Sequence, residues 1–351
     1  MKNFSIIFLV TILLFFFLNL AISFTWPLYS KYKAKNLNYP DAVIEILNMS
    51  EEDMIQLHSE TWEAYERFTF VPFLGHSETK REGKFVNFDQ KDGRKVLRPS
   101  NCSKNVIMYG GSTTFGYGVT DEQTIAQHLQ NILGEEYCVF NHGRAYYYSK
   151  QENNLFTLHI ENNYKIDKAI FLDGINEKCG GYDYARYLDR SFQTLVERPY
   201  KMWQRTFVDF IYTLPVLQFT NSLMGSSRWI HADFDLRYVI DACKNKLSLP
   251  ELLQKRLNLR HSLCLEEKIK CYSFLQPFTG THGKQIEELL SSDKKIELNK
   301  KYNSLKKVDK YLVDIGFALD DSSQLSYIDS GHYSSESSLK IAKVISSYIK
   351  N

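Results

Sequence analysis

From residue 6 to residue 24 the chain is almost wholly apolar, broken only by Thr11, Asn19 and Ser23. About twenty such residues suffice to cross a bilayer as a helix, so the pattern predicts a membrane-targeting segment within residues 1–30. Residues 31–40 read as a basic, polar linker, and 41–67 carry apolar residues at helical spacing. The period then changes. Residues 83–89 alternate apolar and polar, and Asp92-Gly93 supplies a turn, which predicts a small β-hairpin ahead of the main domain.

Short apolar runs at 105–108, 137–141, 168–172 and 270–275, with a weaker one at 325–328, read as buried strands. Helical spacing recurs between and after them, over 120–133, over 334–349 and over the lysine-rich stretch 294–310, where Leu298, Tyr302, Leu305 and Val308 mark an amphipathic, solvated helix. Strands alternating with helices predict an α/β fold whose parallel sheet, of about five strands, is covered on both faces. Residues 182–267 are aromatic, basic and mostly helical in pattern, and they are too long for a simple crossover. The expected organisation is therefore an N-terminal segment (1–30), a linker, helix and hairpin (31–100), and a main domain (101–351) with a helical insertion at 182–267.

Composition narrows the function. In 351 residues, 44% are hydrophobic and the formal charge is only +2, which supplies a core but no electrostatic case for nucleic acid as a partner. The apolar segment is longer than most signal h-regions, so it reads as an uncleaved anchor, although Ala21-Ile22-Ser23 offers small residues where a signal peptidase would cut. A short basic N-terminus before a single apolar segment behaves as an export signal, so the expected location is the membrane, with the main domain on the extracytoplasmic, periplasmic side. Six cysteines are scattered without a Cys-x-x-Cys pair. In an exported domain, Cys102 with Cys138 and Cys264 with Cys271 are the first pairs to test, with buried free thiols as the alternative. The nine histidines show no metal-ligand spacing, so no metal and no cofactor are expected. Gly280-Thr281-His282-Gly283-Lys284 lacks the spacing of a phosphate loop.

In an open parallel sheet, sites form beyond the carboxyl ends of the strands. After the first strand here comes Gly110-Gly111-Ser112, and after the second Asn141-His142-Gly143. The third is followed by Gly174-Ile175-Asn176, and the last by Asp329-Ser330-Gly331-His332. These residue types suit acyl transfer. A serine hydroxyl needs an imidazole to take its proton, so Ser112 is the candidate nucleophile, His332 its base and Asp329 the group that orients the ring. An oxyanion needs preorganised donors, for which the N–H groups of Ser112 and Gly143 and the side-chain amide of Asn176 are candidates. Tyr146, Tyr147 and Tyr148, just past Gly143, are candidates for core packing or for a sugar-binding surface.

Gly-Gly-Ser, the glycine after the second strand, Gly-x-Asn and Asp-x-x-His, in that order, resemble the SGNH (GDSL-like) hydrolase superfamily. The likeness runs from residue 105 to the C-terminus outside the insertion. Residues 141–152 and 171–177, with the hairpin before them, resemble its bacterial membrane-anchored branch. The resemblance implies a flavodoxin-like three-layer α/β/α sandwich. The expected activity is that of a membrane-anchored serine ester hydrolase removing acyl groups, such as acetyl, from an envelope polysaccharide. Two alternatives use the same chain differently: an O-acyltransferase served by a membrane acyl-donor partner, or a catalytically silent carbohydrate-binding protein. The chain departs from the family where Gly111 stands before the serine in place of an aspartate, and where Glu177 rather than aspartate follows Asn176.

Overall fold

The computed structural model describes residues 2–35, 40–66, 68–71, 73–178 and 247–350. Of the expected insertion, residues 182–246 lie outside the described residues, as do Cys179 and Cys243. Helix α1, Lys2–Lys35, runs through the apolar segment and on into the stretch that the sequence marks as linker. Its Ile6–Thr25 portion, 20 residues of mean hydropathy 2.7, is long and apolar enough to cross a membrane.

The helical pattern at 41–67 resolves into α2, Asp41–Leu47, and α3, Glu51–Glu66. Asn48 separates them by adopting a left-handed conformation (φ 46°), a role its short polar side chain permits. Strands β1, Phe68–Val71, and β2, Gly75–Glu78, form a separate antiparallel pair. The main sheet contains β3, Arg81–Glu82, β4, Asn87–Asp89, β5, Gly93–Arg94, β6, Lys104–Gly110, and β7, Tyr137–Gly143. It is completed by β8, Lys168–Asp173, β9, Lys270–Leu275, and β10, Val313–Asp314. Among the described residues, six helices accompany it: α4, Ser112–Phe115, α5, Ile125–Leu133, α6, Ser149–Glu161, α7, Leu249–Glu266, α8, Ser292–Leu305, and α9, Ser335–Lys350.

The strand order is β10-β9-β8-β6-β7-β5-β4-β3, with every pair from β10 to β5 parallel and the last two antiparallel. Read from β7, the central strands run β7-β6-β8-β9-β10, the 2-1-3-4-5 order of a flavodoxin-like sheet. The alternation along β6 explains the layers. Val106 and Met108 pack with Ile125 and Leu129 of α5 and with Ile341 and Ile345 of α9. Ile107 and Tyr109 point the other way, onto Leu155 and Phe156 of α6 and Cys264 of α7. Each such side chain removed from water contributes about 1.5–3 kcal/mol.

Three sequence expectations change. Residues 325–328 form no strand; Leu325 and Tyr327 make isolated bridges to Lys284 and Tyr333, and the two-residue β10 takes the sheet edge beside β9. The β4–β5 hairpin does not stand apart, because β5 pairs with β7 and extends the sheet. Residues 249–266, within the span assigned to the insertion, are the crossover helix α7, started by a Ser248/Glu251 capping box and burying Leu253, Leu257 and Cys264. Both cysteine pairs singled out from the sequence are bridged, with Cα separations of 5.6 Å for Cys102–Cys138 and 6.1 Å for Cys264–Cys271.

Candidate active site

Strand β6 delivers Ser112 through two glycines, each with a steric reason to be glycine. A Cβ on Gly110 would lie 2.0 Å from Thr114 Oγ1, and one on Gly111 would lie 2.4 Å from Asn176 Nδ2. The tight turn passes into α4, whose first residue is Ser112, so its N–H has no acceptor within the helix. The far end of α4 is fixed by the fully buried Arg94, which donates to the carbonyls of Phe115 (3.0 Å), Gly116 and Val119 (2.6 Å) and pairs with Asp121 at 3.0 Å. Thr113 Oγ1 donates to Gln276 Oε1 at 2.7 Å, tying the same turn to the end of β9.

The loop before α9 brings the other two groups to the serine. Asp329 Oδ1 accepts the N–H groups of Gly331 and His332, both at 2.8 Å, and this closes the turn. Its Oδ2 lies 2.6 Å from His332 Nδ1, and His332 Nε2 lies 2.8 Å from Ser112 Oγ. A carboxylate can only accept, so Nδ1 carries the proton and Nε2 is the acceptor for the serine hydroxyl. Burial alone would raise the Asp329 carboxyl, but the positive charge that His332 carries once it is protonated, with the hydrogen bonds from His332 and Gly331, outweighs burial and brings the carboxyl down to about 2. The Tyr117 ring stacks on the imidazole, with centroids 5.5 Å apart, and limits its rotation. Side-chain exposures of 17% for His332 and 29% for Asp329 leave the pair accessible from one side.

The three expected oxyanion donors do not behave alike. The Ser112 N–H opens α4, as above. Asn176 follows Gly174, whose φ of 130° suits glycine, and its Nδ2 donates to Tyr147 O at 3.0 Å while resting against Gly111. That bond uses one of the two amide hydrogens. Gly143 is different: with no ligand present its N–H donates to Asn141 Oδ1 at 3.1 Å, while Asn141 Nδ2 reaches Thr114 O at 2.9 Å. The glycine is needed for proximity, since a Cβ there would sit 2.3 Å from Phe115 N.

Other contacts near the site escaped the sequence reading. Glu177 accepts from the N–H and Oγ of Ser149, at 2.6 and 2.8 Å, and from Arg256 at 3.0 Å. Behind it, Arg260 holds Asp173 with both terminal nitrogens (2.6 and 3.1 Å) and reaches Glu152 at 3.3 Å. Burial first, and then Asp173, pushes the Glu152 carboxyl well above the usual range. Of the three tyrosines, Tyr147 belongs to the core, its hydroxyl donating to His76 O at 2.6 Å. Tyr148 is half-buried between the cations of Arg256 and Lys178, and Tyr146 is half-buried at φ 61°. In the 280–284 loop, Gly280 N–H is taken by Gln285 Oε1 at 2.7 Å.

No family model and no curated protein match this chain. Among solved structures it is similar to an acetyl xylan esterase, AlAXEase, at 13% identity and TM-score 0.38, covering 70% of this chain and 99% of that one. It is also similar to a carbohydrate acetylesterase family member from Sinorhizobium meliloti, at 12% identity and TM-score 0.35, covering 70% and 97%. A third likeness is to a G-D-S-L family protein from Desulfitobacterium hafniense DCB-2, at 13% identity and TM-score 0.36, covering 70% and 99%. At such scores the superpositions carry no weight beside the strand order and the contacts of Ser112, His332 and Asp329.

Proposed function

We propose that the protein is a membrane-anchored serine ester hydrolase of the SGNH type, acting on acyl esters, acetyl among them, of an extracytoplasmic carbohydrate. The observation that carries this reading is the unbroken chain from Ser112 Oγ through both nitrogens of His332 to Asp329, at 2.8 and 2.6 Å. In the first half-reaction Ser112 Oγ attacks the ester carbonyl carbon as His332 Nε2 takes its proton. The negative charge that develops on the carbonyl oxygen meets the Ser112 N–H and the free hydrogen of the Asn176 amide. The tetrahedral intermediate collapses, the C–O bond to the sugar breaks, and the leaving oxygen takes the proton from His332. Water then attacks the acyl-serine with His332 again as base, releasing the acid and restoring the hydroxyl. Asp329, with its carboxyl near 2, stays ionised throughout and offsets the imidazolium.

The carbohydrate ester follows the sequence resemblance, and the membrane setting follows the apolar helix together with the two bridged cysteine pairs, which suit an oxidising compartment. The test is p-nitrophenyl acetate turnover by the full chain in detergent, with and without Ser112→Ala. Loss of turnover on substitution is expected, and unchanged turnover would overturn the serine assignment. Adding an acetyl donor and acceptor glycans to the same assay separates hydrolysis from transfer.

A further inference from the structure

The Asn176 amide is useful only if its free hydrogen points where the oxyanion forms. Asparagine has two rotatable side-chain bonds, and Asn176 lies on a loop after β8. Its amide is tethered to a second loop, through Tyr147 O at 3.0 Å, so its aim depends on how those two loops are held to one another. The bonds that hold them come from the adjacent residue. Glu177, only 1% exposed, spans the same gap: Oε1 accepts the Ser149 N–H at 2.6 Å and Oε2 accepts the Ser149 hydroxyl at 2.8 Å. Asn176 with Tyr147 and Glu177 with Ser149 thus make parallel links between 176–177 and 147–149.

Three further features stiffen this arrangement. Ser149 is the first residue of α6, so the carboxylate meets an N–H that the helix cannot satisfy and lies at the positive end of its dipole. Arg256 of α7, 8% exposed, donates from one Nη1 to Glu177 Oε2 (3.0 Å), Ser149 Oγ (3.3 Å) and Lys178 O (3.2 Å). On the other side of Asn176, Lys301 of α8 donates to Ile175 O at 2.7 Å. The segment bearing the amide is therefore gripped immediately before and immediately after Asn176.

We propose that Glu177, locked by Ser149 and Arg256, is the positioning residue of the oxyanion site and acts on catalysis solely through the Asn176 amide. This rests on the serine-hydrolase reading. A residue that merely stabilised the fold would slow the reaction independently of Asn176; one that aims the amide has nothing to aim once the amide is gone.

A double-mutant cycle on the full chain in detergent, read by p-nitrophenyl acetate kinetics, tests this. Asn176→Ala should lower kcat about 100- to 1,000-fold. Glu177→Gln, which turns one acceptor into a donor facing donors, should lower kcat by about ten- to a hundredfold with KM within about twofold, as a small misplacement does. The double variant should be within about twofold of Asn176→Ala alone, whereas independent effects would multiply. Full kcat in Glu177→Gln, or multiplication in the double variant, would overturn the proposal. If Glu177→Gln does not fold, Ser149→Ala in the same cycle carries the same criterion, because it removes the two bonds that the hydroxyl makes in the clamp, to Glu177 and from Arg256, with little change in volume. Turnover that survives Ser112→Ala would sink the serine reading itself; a multiplicative cycle in a protein that Ser112→Ala silences sinks only the clamp.

Discussion

At the scale of single residues, the site depends on what each partner cannot do. Asp329 cannot donate, and that fixes the His332 tautomer. An amide in its place could donate instead, so Asp329→Asn should lower kcat by about 10³- to 10⁴-fold with KM nearly unchanged, measured on p-nitrophenyl acetate. The depressed carboxyl also links stability to pH. Its folded pKa of about 2 lies below the ordinary value of 3.8, so its contribution is present above about 3.8 and is lost as pH falls toward 2. Urea midpoints measured across that window should fall less in Asp329→Asn than in the wild type. At Gly143 the limit is steric: the nearest atom to a new Cβ is backbone, Phe115 N at 2.3 Å, and α4 must shift to admit it. Gly143→Ala should cost about 1–3 kcal/mol in urea unfolding and should lower kcat as well, because the displaced helix carries Ser112.

At the scale of elements, short continuous apolar runs were enough to find β6, β7, β8 and β9, since buried parallel strands are apolar on both faces. Ser112, Asn176, Asp329 and His332 were legible because each follows a strand or precedes the last helix. The edge strand β10 was not, because two residues carry no periodicity. The Glu177 clamp was not either, because its partners lie 28 and 79 residues away and only the fold brings them together. Nor could the sequence reveal that the Gly143 N–H is bonded to Asn141, a matter of side-chain rotamer. One buried cluster links β7 to α6: His142 meets His159 edge-on at 4.4 Å, and His159 Nδ1 lies 2.9 Å from the Tyr109 hydroxyl. Burial, then the like charge of Arg144, holds His159 down at about 3, and burial foremost keeps His142 well below its ordinary value. Both stay neutral in the fold while the unfolded chain binds protons below about 6.5, so stability should fall as pH drops from 6.5 toward 3. Between pH 6.5 and about 5, above the ordinary carboxylate range, that loss belongs to histidines. The urea midpoint should fall less over this interval in His159→Gln than in the wild type; an unchanged slope would contradict the buried neutral pair.

At the scale of the whole molecule, the two disulfides among the described residues close loops of different length. With sequence separations of 36 and 7, Cys102–Cys138 and Cys264–Cys271 should contribute about 4 and about 2 kcal/mol by restricting the unfolded chain. Replacing each pair with serine and comparing urea midpoints should reproduce that order. Helix α1 supplies the attachment in the proposed reading, and the sheet places Ser112, Asn176 and His332 beyond the carboxyl ends of its strands. The most direct measurement of the central claim is covalent: treat the folded protein with a fluorophosphonate, digest it and map the adduct by mass spectrometry. The account predicts a single phosphonylated residue, Ser112, with labelling strongly slowed in His332→Ala. An adduct on a different residue, or no adduct on a protein shown to be folded, would contradict it.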